Sequence, residues 1–142
     1  MLSANAKIPI FVGTRINMTI LTDIENREKI LQQAVIAMQE KKAKDIISLD
    51  LTDLPDAVAA YFLICHASNK TQVNAIYDYV VELVTKNCGE HPYHREGYEN
   101  AEWILIDYVD VVVHVFLEDT RKFYHLEGLW ADAKMKQYQS DR

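Results

Sequence analysis

Trp103-Ile104-Leu105-Ile106-Asp107-Tyr108-Val109-Asp110-Val111-Val112-Val113-His114-Val115-Phe116 is the stretch on which the fold turns. Two apolar, β-branched runs flank an acid-bounded turn, so the segment reads as a β-hairpin bent about Asp107 to Asp110. Strand alternation sets His114 on the face of Val112 and Phe116, and leaves Val111, Val113 and Val115 on the other.

Working outward, residues 61–67 are apolar on both alternating sets, as an interior strand requires. Asn69, with Gln72 three residues on, opens a helix whose Val73, Ile76, Tyr77, Val80, Leu83 and Val84 keep to one face, and Gly89 stops it. Residues 91–95 form a short polar strand candidate. Ile46 to Leu51 reads as a strand, and the Pro55-containing stretch from Thr52 to Ala60 as a loop. Thr22-Asp23-Ile24-Glu25 has the T-x-x-E form of a capping box, which starts a first helix near Asp23 that runs to about Lys42. Beyond the hairpin, a last helix from Asp119 or Thr120 should bury Phe123, Leu126 and Trp130. A frayed polar tail is expected over 135–142. The order is αββαββα: an α/β (α+β) domain over 23–134, with a mixed sheet of about five strands flanked by helices.

Composition narrows the function. The chain has 142 residues, 49% of them apolar, and a net charge of -6, with a pI near 5.3. That balance excludes intrinsic disorder. The acidity disfavours a general nucleic-acid binder, which needs clustered Lys and Arg; if the protein acts near RNA, it should do so by holding a basic protein. No apolar run approaches the length of a membrane span. Two cysteines, Cys65 and Cys88, make neither a disulfide framework nor a C-x-x-C pair, which fits a reducing cytoplasm. Residues 1–22 carry Lys7 and Arg15 and no acid, and Ile8 to Val12 is broken by Pro9 and too short for a signal peptide. We expect an extension there that is disordered or untranslated, with Met18 as an alternative start.

Three segments together resemble one family. They are Tyr61-Phe62-Leu63-Ile64-Cys65 with Ser68 and the Gln72-Val73 helix, the hairpin quoted above, and Arg121-Lys122-Phe123-Tyr124-His125-Leu126-Glu127-Gly128-Leu129-Trp130-Ala131-Asp132-Ala133. This pattern is similar to the ribosomal silencing factor RsfS, or iojap-like, family, from about Ile24 to Ala133. The resemblance implies a nucleotidyltransferase-like fold and a cytoplasmic or organellar protein that binds the large ribosomal subunit. The implied contact is the fourteenth protein of the large-subunit series, where joining of the small subunit is obstructed and translation falls. Members are often homodimeric when free. The family turn usually reads D-Y-G-D; here Val109 replaces the glycine, and we expect it to keep a negative φ in a different turn.

The acids supply a physical reason for such a partner. From Tyr98 to Asp119 there are six carboxylates and no Lys or Arg, so the hairpin should project negative potential toward a basic protein. Candidate partner-binding residues are Trp103, Asp107, Tyr108, Asp110 and His114, with Glu102 secondary. Tyr108, between two acids, is expected to be exposed, and Asp107 or Asp110 to bond the His114 imidazole. An enzyme is the rival: Asp107 and Asp110 imitate the metal-binding carboxylates of a nucleotidyltransferase. The four glycines are scattered, however, and no Gly-Ser dipeptide or P-loop occurs, so no phosphate cradle is present. His91 and His94 lack ligand spacing for a metal hydrolase. The reading is a binding protein without catalysis, cofactor or metal.

Overall fold

Residues 14–140 are described by a computed structural model. The elements in chain order are α1 (Thr14–Glu40), β1 (Lys44–Asp50), β2 (Tyr61–Ala67), α2 (Lys70–Cys88), β3 (His94–Glu96), β4 (Trp103–Asp107), β5 (Val111–Leu117), α3 (Glu118–Tyr124), α4 (Leu126–Leu129) and β6 (Lys134–Tyr138). They form a six-stranded sheet in the order β3-β4-β5-β2-β1-β6. β2 and β5 run parallel at its centre, with Tyr61 opposite Val111, and every other neighbouring pair is antiparallel. The mixed α+β class expected from sequence is what the chain adopts.

α2 follows its sequence signals closely. Asn69 accepts a hydrogen bond from the Gln72 amide at 2.9 Å, and Gly89 ends the helix at φ +68°. Its apolar stripe packs beside that of α1 on one face of the sheet, over Leu63, Cys65, Ile104, Ile106, Val111, Val113 and Val115. α1 begins upstream of the expected cap. The Thr22 hydroxyl donates to the Met18 carbonyl one turn back, so Thr22 lies inside the helix. The expected extension is therefore helical from Thr14; its first thirteen residues lie outside the described ones.

The opposite face is covered far more thinly. Ile47, Leu49, Phe62, Ile64, Val112 and Phe116 are roofed by Leu54, Ala57 and Ala59 of the 52–60 loop, and by Leu126, Trp130 and Ala133. The single last helix expected from sequence is instead two short ones, broken at His125, which takes φ +47°. The imidazole of His125 folds over Gly128, where a Cβ would stand 2.4 Å from it. That break turns Phe123 outward, 80% exposed, while Leu126 stays buried. The expected frayed tail is also corrected. β6 pairs with β1 as an edge strand, with Met135 opposite Leu49 and Tyr138 opposite Ile46. Among the described residues no helix is long and apolar enough to cross a membrane.

Candidate partner surface on the hairpin

The hairpin spreads the six sequence candidates along its length, with His114 opposite Leu105 in the middle. Alternation sends Ile104, Ile106 and Tyr108 toward the helices and Trp103, Leu105 and Asp107 toward the thin face. Glu102 and Trp103 stand at one end. Glu102 lies 3.8 Å from the Lys70 ammonium, and its carbonyl accepts the Leu117 amide at 2.8 Å. Asp107, Tyr108 and Asp110 stand about 14 Å away at 3.4 Å per residue. The six therefore do not form one cluster.

Trp103 and His114 do meet. The Trp103 indole N–H donates to His114 Nδ1 at 3.1 Å, and the indole stacks on Phe116 at 4.8 Å. Gly97, at φ +87°, lets the chain pass the Trp103 carbonyl, where a Cβ would sit at 2.0 Å. Because Nδ1 accepts, the imidazole proton resides on Nε2. Nε2 is buried with no partner among the described residues, and the ring meets Phe62 edge-on at 4.8 Å. Burial alone holds this histidine far below its ordinary pKa, at about 3. The expected bond from Asp107 or Asp110 is thus corrected: those acids lie at the turn, while His114 is 3% exposed beneath Trp103.

Tyr108 is also corrected. It is 7% exposed and packs among the α2-side core residues, and burial raises its phenol above the usual range. The turn itself is tight. Val109 takes φ +75°, against the expected negative value. Asp110 N–H donates to the Tyr108 carbonyl at 3.0 Å and Tyr108 N–H to Val111 O at 2.9 Å, the pattern of a γ-turn of positive φ. Asp107 stabilises it by accepting the Val109 amide at 2.7 Å. The Asp110 carbonyl takes both the Ala60 and Tyr61 amides, which ties the 52–60 loop to the turn. Asp107 and Asp110 are half-buried and Val109 exposed, so the tip offers two carboxylates around an apolar point.

Residues the sequence reasoning missed lie beside Trp103. Tyr124 packs on it at 5.0 Å and Phe123 on Tyr124 at 5.0 Å; both are exposed, as is Leu129. The signal available was Gly128 so soon after Leu126, which is a poor fit to one continuous helix. Among the described residues no three of His, Cys, Asp and Glu gather as ligands for a cation.

The family model described as ribosomal silencing factor during starvation matches residues 24–142. Ribosomal silencing factor RsfS of Bacillus subtilis is 43% identical over 110 residues, which cover 78% of this chain and 92% of that protein. A crystal structure of a Chromobacterium violaceum protein superposes with a TM-score of 0.69 at 35% identity, over 73% of this chain and 85% of that one. The mouse mitochondrial assembly of ribosomal large subunit protein 1 is 27% identical over 70% of this chain and 44% of its own length.

Proposed function

The chain belongs to the ribosomal silencing factor family and acts in ribosome silencing, and from that premise we propose how it does so. It binds a basic ribosomal protein on the interface face of the large subunit, the fourteenth of that series. Bound there in the cytoplasm, it excludes the small subunit by its bulk and makes or breaks no covalent bond. The observation that carries this reading is the hairpin, which sets the exposed Glu102 beside a half-covered Trp103 at one end and the half-buried carboxylates of Asp107 and Asp110 at its turn.

Charge and apolar surface divide the work. Asp107, Asp110 and Glu102 steer a cationic partner and set its register. Trp103, with Tyr124 and Phe123 beside it, supplies the aromatic anchor from which most affinity comes. Tyr108 and His114 act from behind, as the packing that fixes the turn and the indole. A stable contact covers about 800 Å² on each partner, more than the turn offers, so the aromatic flank belongs to the same surface. When free, the protein pairs as a homodimer, as the family resemblance implies.

Cosedimentation with purified large subunits tests the reading. Asp107→Asn keeps an acceptor for the Val109 amide while removing charge, and Asp110→Lys inverts the second charge. The double variant should bind at least tenfold more weakly with an unchanged unfolding midpoint. Trp103→Ala should lose binding at all salt concentrations. Wild-type binding by both would remove this surface from the ribosomal contact.

A further inference from the structure

Arg121 occupies a place no charged residue takes without partners. It is 7% exposed, in a stretch whose neighbours Lys122, Phe123 and Tyr124 face solvent. One guanidinium nitrogen, Nη1, donates to the Asp45 carbonyl at 2.8 Å and lies 2.9 Å from His66 Nδ1. Nε and Nη2 both meet Glu127 Oε2, at 3.1 and 3.0 Å. A single side chain therefore joins β1, β2 and α4. Asp45 sits where β1 is irregular, at φ +47°, with the pairing to β2 shifting register between Lys44 and Ile47. The irregularity turns its carbonyl toward the arginine.

The segment held this way has little else to hold it. α3 has seven residues and α4 four, and neither has a side-chain N-cap, so both are far too short to persist alone. Leu126 is buried, and Trp130 meets Phe62 edge-on at 5.7 Å. Tyr124, less than one turn past Arg121, reaches Trp103.

We propose that Arg121 is a positioning residue of the partner surface: seated on Asp45, His66 and Glu127, it docks α3–α4 so that Tyr124 braces Trp103, and protonation of His66 undocks it. The partner half of this inference rests on the reading of Trp103 given above. A guanidinium only donates, so His66 must offer Nδ1 as an acceptor and carry its proton on Nε2, 4.0 Å from the Asp45 carboxylate. A second proton would set two cations against each other. Burial first, then Arg121 and Lys122, hold His66 below its ordinary 6.5, while Asp45 and Glu118 pull the other way. The docked form is thus complete above pH 6.5. It weakens as pH falls below that, because the undocked form takes up the proton first.

The chain's two tryptophans, Trp103 and Trp130, both lie on this segment's contacts and report docking directly. Tryptophan emission and near-ultraviolet circular dichroism of the full chain are followed from pH 8 to pH 5. The wild type should shift to redder emission on acidification, with only the small loss of far-ultraviolet helix signal that fraying of α3 and α4 produces. His66→Asn offers an amide oxygen to Arg121 but does not titrate, and should keep the docked spectrum throughout. Arg121→Met should show the undocked spectrum at every pH and lose at least tenfold in cosedimentation with large subunits; Arg121→Lys should fall between. A docked spectrum and wild-type binding for Arg121→Met, or parallel acid shifts in wild type and His66→Asn, would overturn the proposal. Should Arg121→Met not fold, the lysine variant and the His66→Asn profile decide it. If Trp103→Ala binds normally, the surface assignment fails while the spectra still judge the clamp.

Discussion

Replacing His114 by Phe converts a buried titrating ring into an apolar one of similar size, and the structure sets the size of the effect. Folded His114 resists protonation to about pH 3 because its ring is desolvated, whereas the unfolded ring titrates near 6.5. Between those values the unfolded chain holds a proton that the folded chain does not. Stability must then fall with pH by up to about 1.4 kcal/mol per unit. At pH 4.5 this one residue costs about 3 kcal/mol relative to pH 7.5. Phe at this position loses the acceptor for the Trp103 indole, about 1 kcal/mol, but also removes the unpaired Nε2–H. The variant should therefore lie within about 1 kcal/mol of wild type at pH 7.5 and gain on it as pH falls, by about 3 kcal/mol at pH 4.5. Urea unfolding followed by far-ultraviolet circular dichroism at unit pH steps measures the difference. Carboxylates and His66 titrate alike in both proteins, so they cancel. Curves that stay parallel from pH 7.5 to 4.5 would refute the argument that His114 is held neutral in the sheet.

Val109→Gly should stabilise the fold by about 1 kcal/mol, since relieving a β-branched residue at positive φ outweighs the added freedom of the unfolded chain; Val109→Ala should give no comparable rise in denaturation midpoint. Tyr138→Phe removes the hydrogen bond at 3.1 Å to the Ser48 hydroxyl and should cost about 1 kcal/mol by urea unfolding. Ending the chain after Ala133 should cost several times that, because β1 loses its outer partner; a frayed tail would cost nothing. Cys65 is fully buried with its thiol pushed up to about 12, so alkylation of the native protein followed by mass spectrometry should modify Cys88 alone.

What could be read from the sequence was whatever one face of one element decides. α2 carries its cap, stripe and stop within the single stretch from Asn69 to Gly89, and the hairpin carries its alternation. Tyr108 was legible by the same rule. It shares a parity with Ile104 and Ile106, and the acids on either side obscured that. β6 was not legible, because Lys134, Met135, Lys136 and Gln137 are all exposed and the strand is held by backbone pairing to β1 rather than by an apolar face. Arg121 was not legible either: its partners Asp45 and His66 are remote in sequence, and local pattern treats a lone arginine as surface. The family resemblance drew attention to the hairpin, while the contacts made along it, such as Trp103 with His114 and Tyr124, are tertiary.

The parallel pair at the middle of the sheet governs how the chain reaches this state. α2 and the β4–β5 hairpin are local structures, and each can form early from neighbouring residues. β2 meets β5 only after α2, β3 and β4 have been looped out between them. The entropy of closing that loop is lost before any central contact compensates it. Seating β5 on β2 therefore closes a long loop, and Phe62, Ile64 and Val112 gain the cover of Leu126 and Trp130 only once the chain beyond β5 folds back over them.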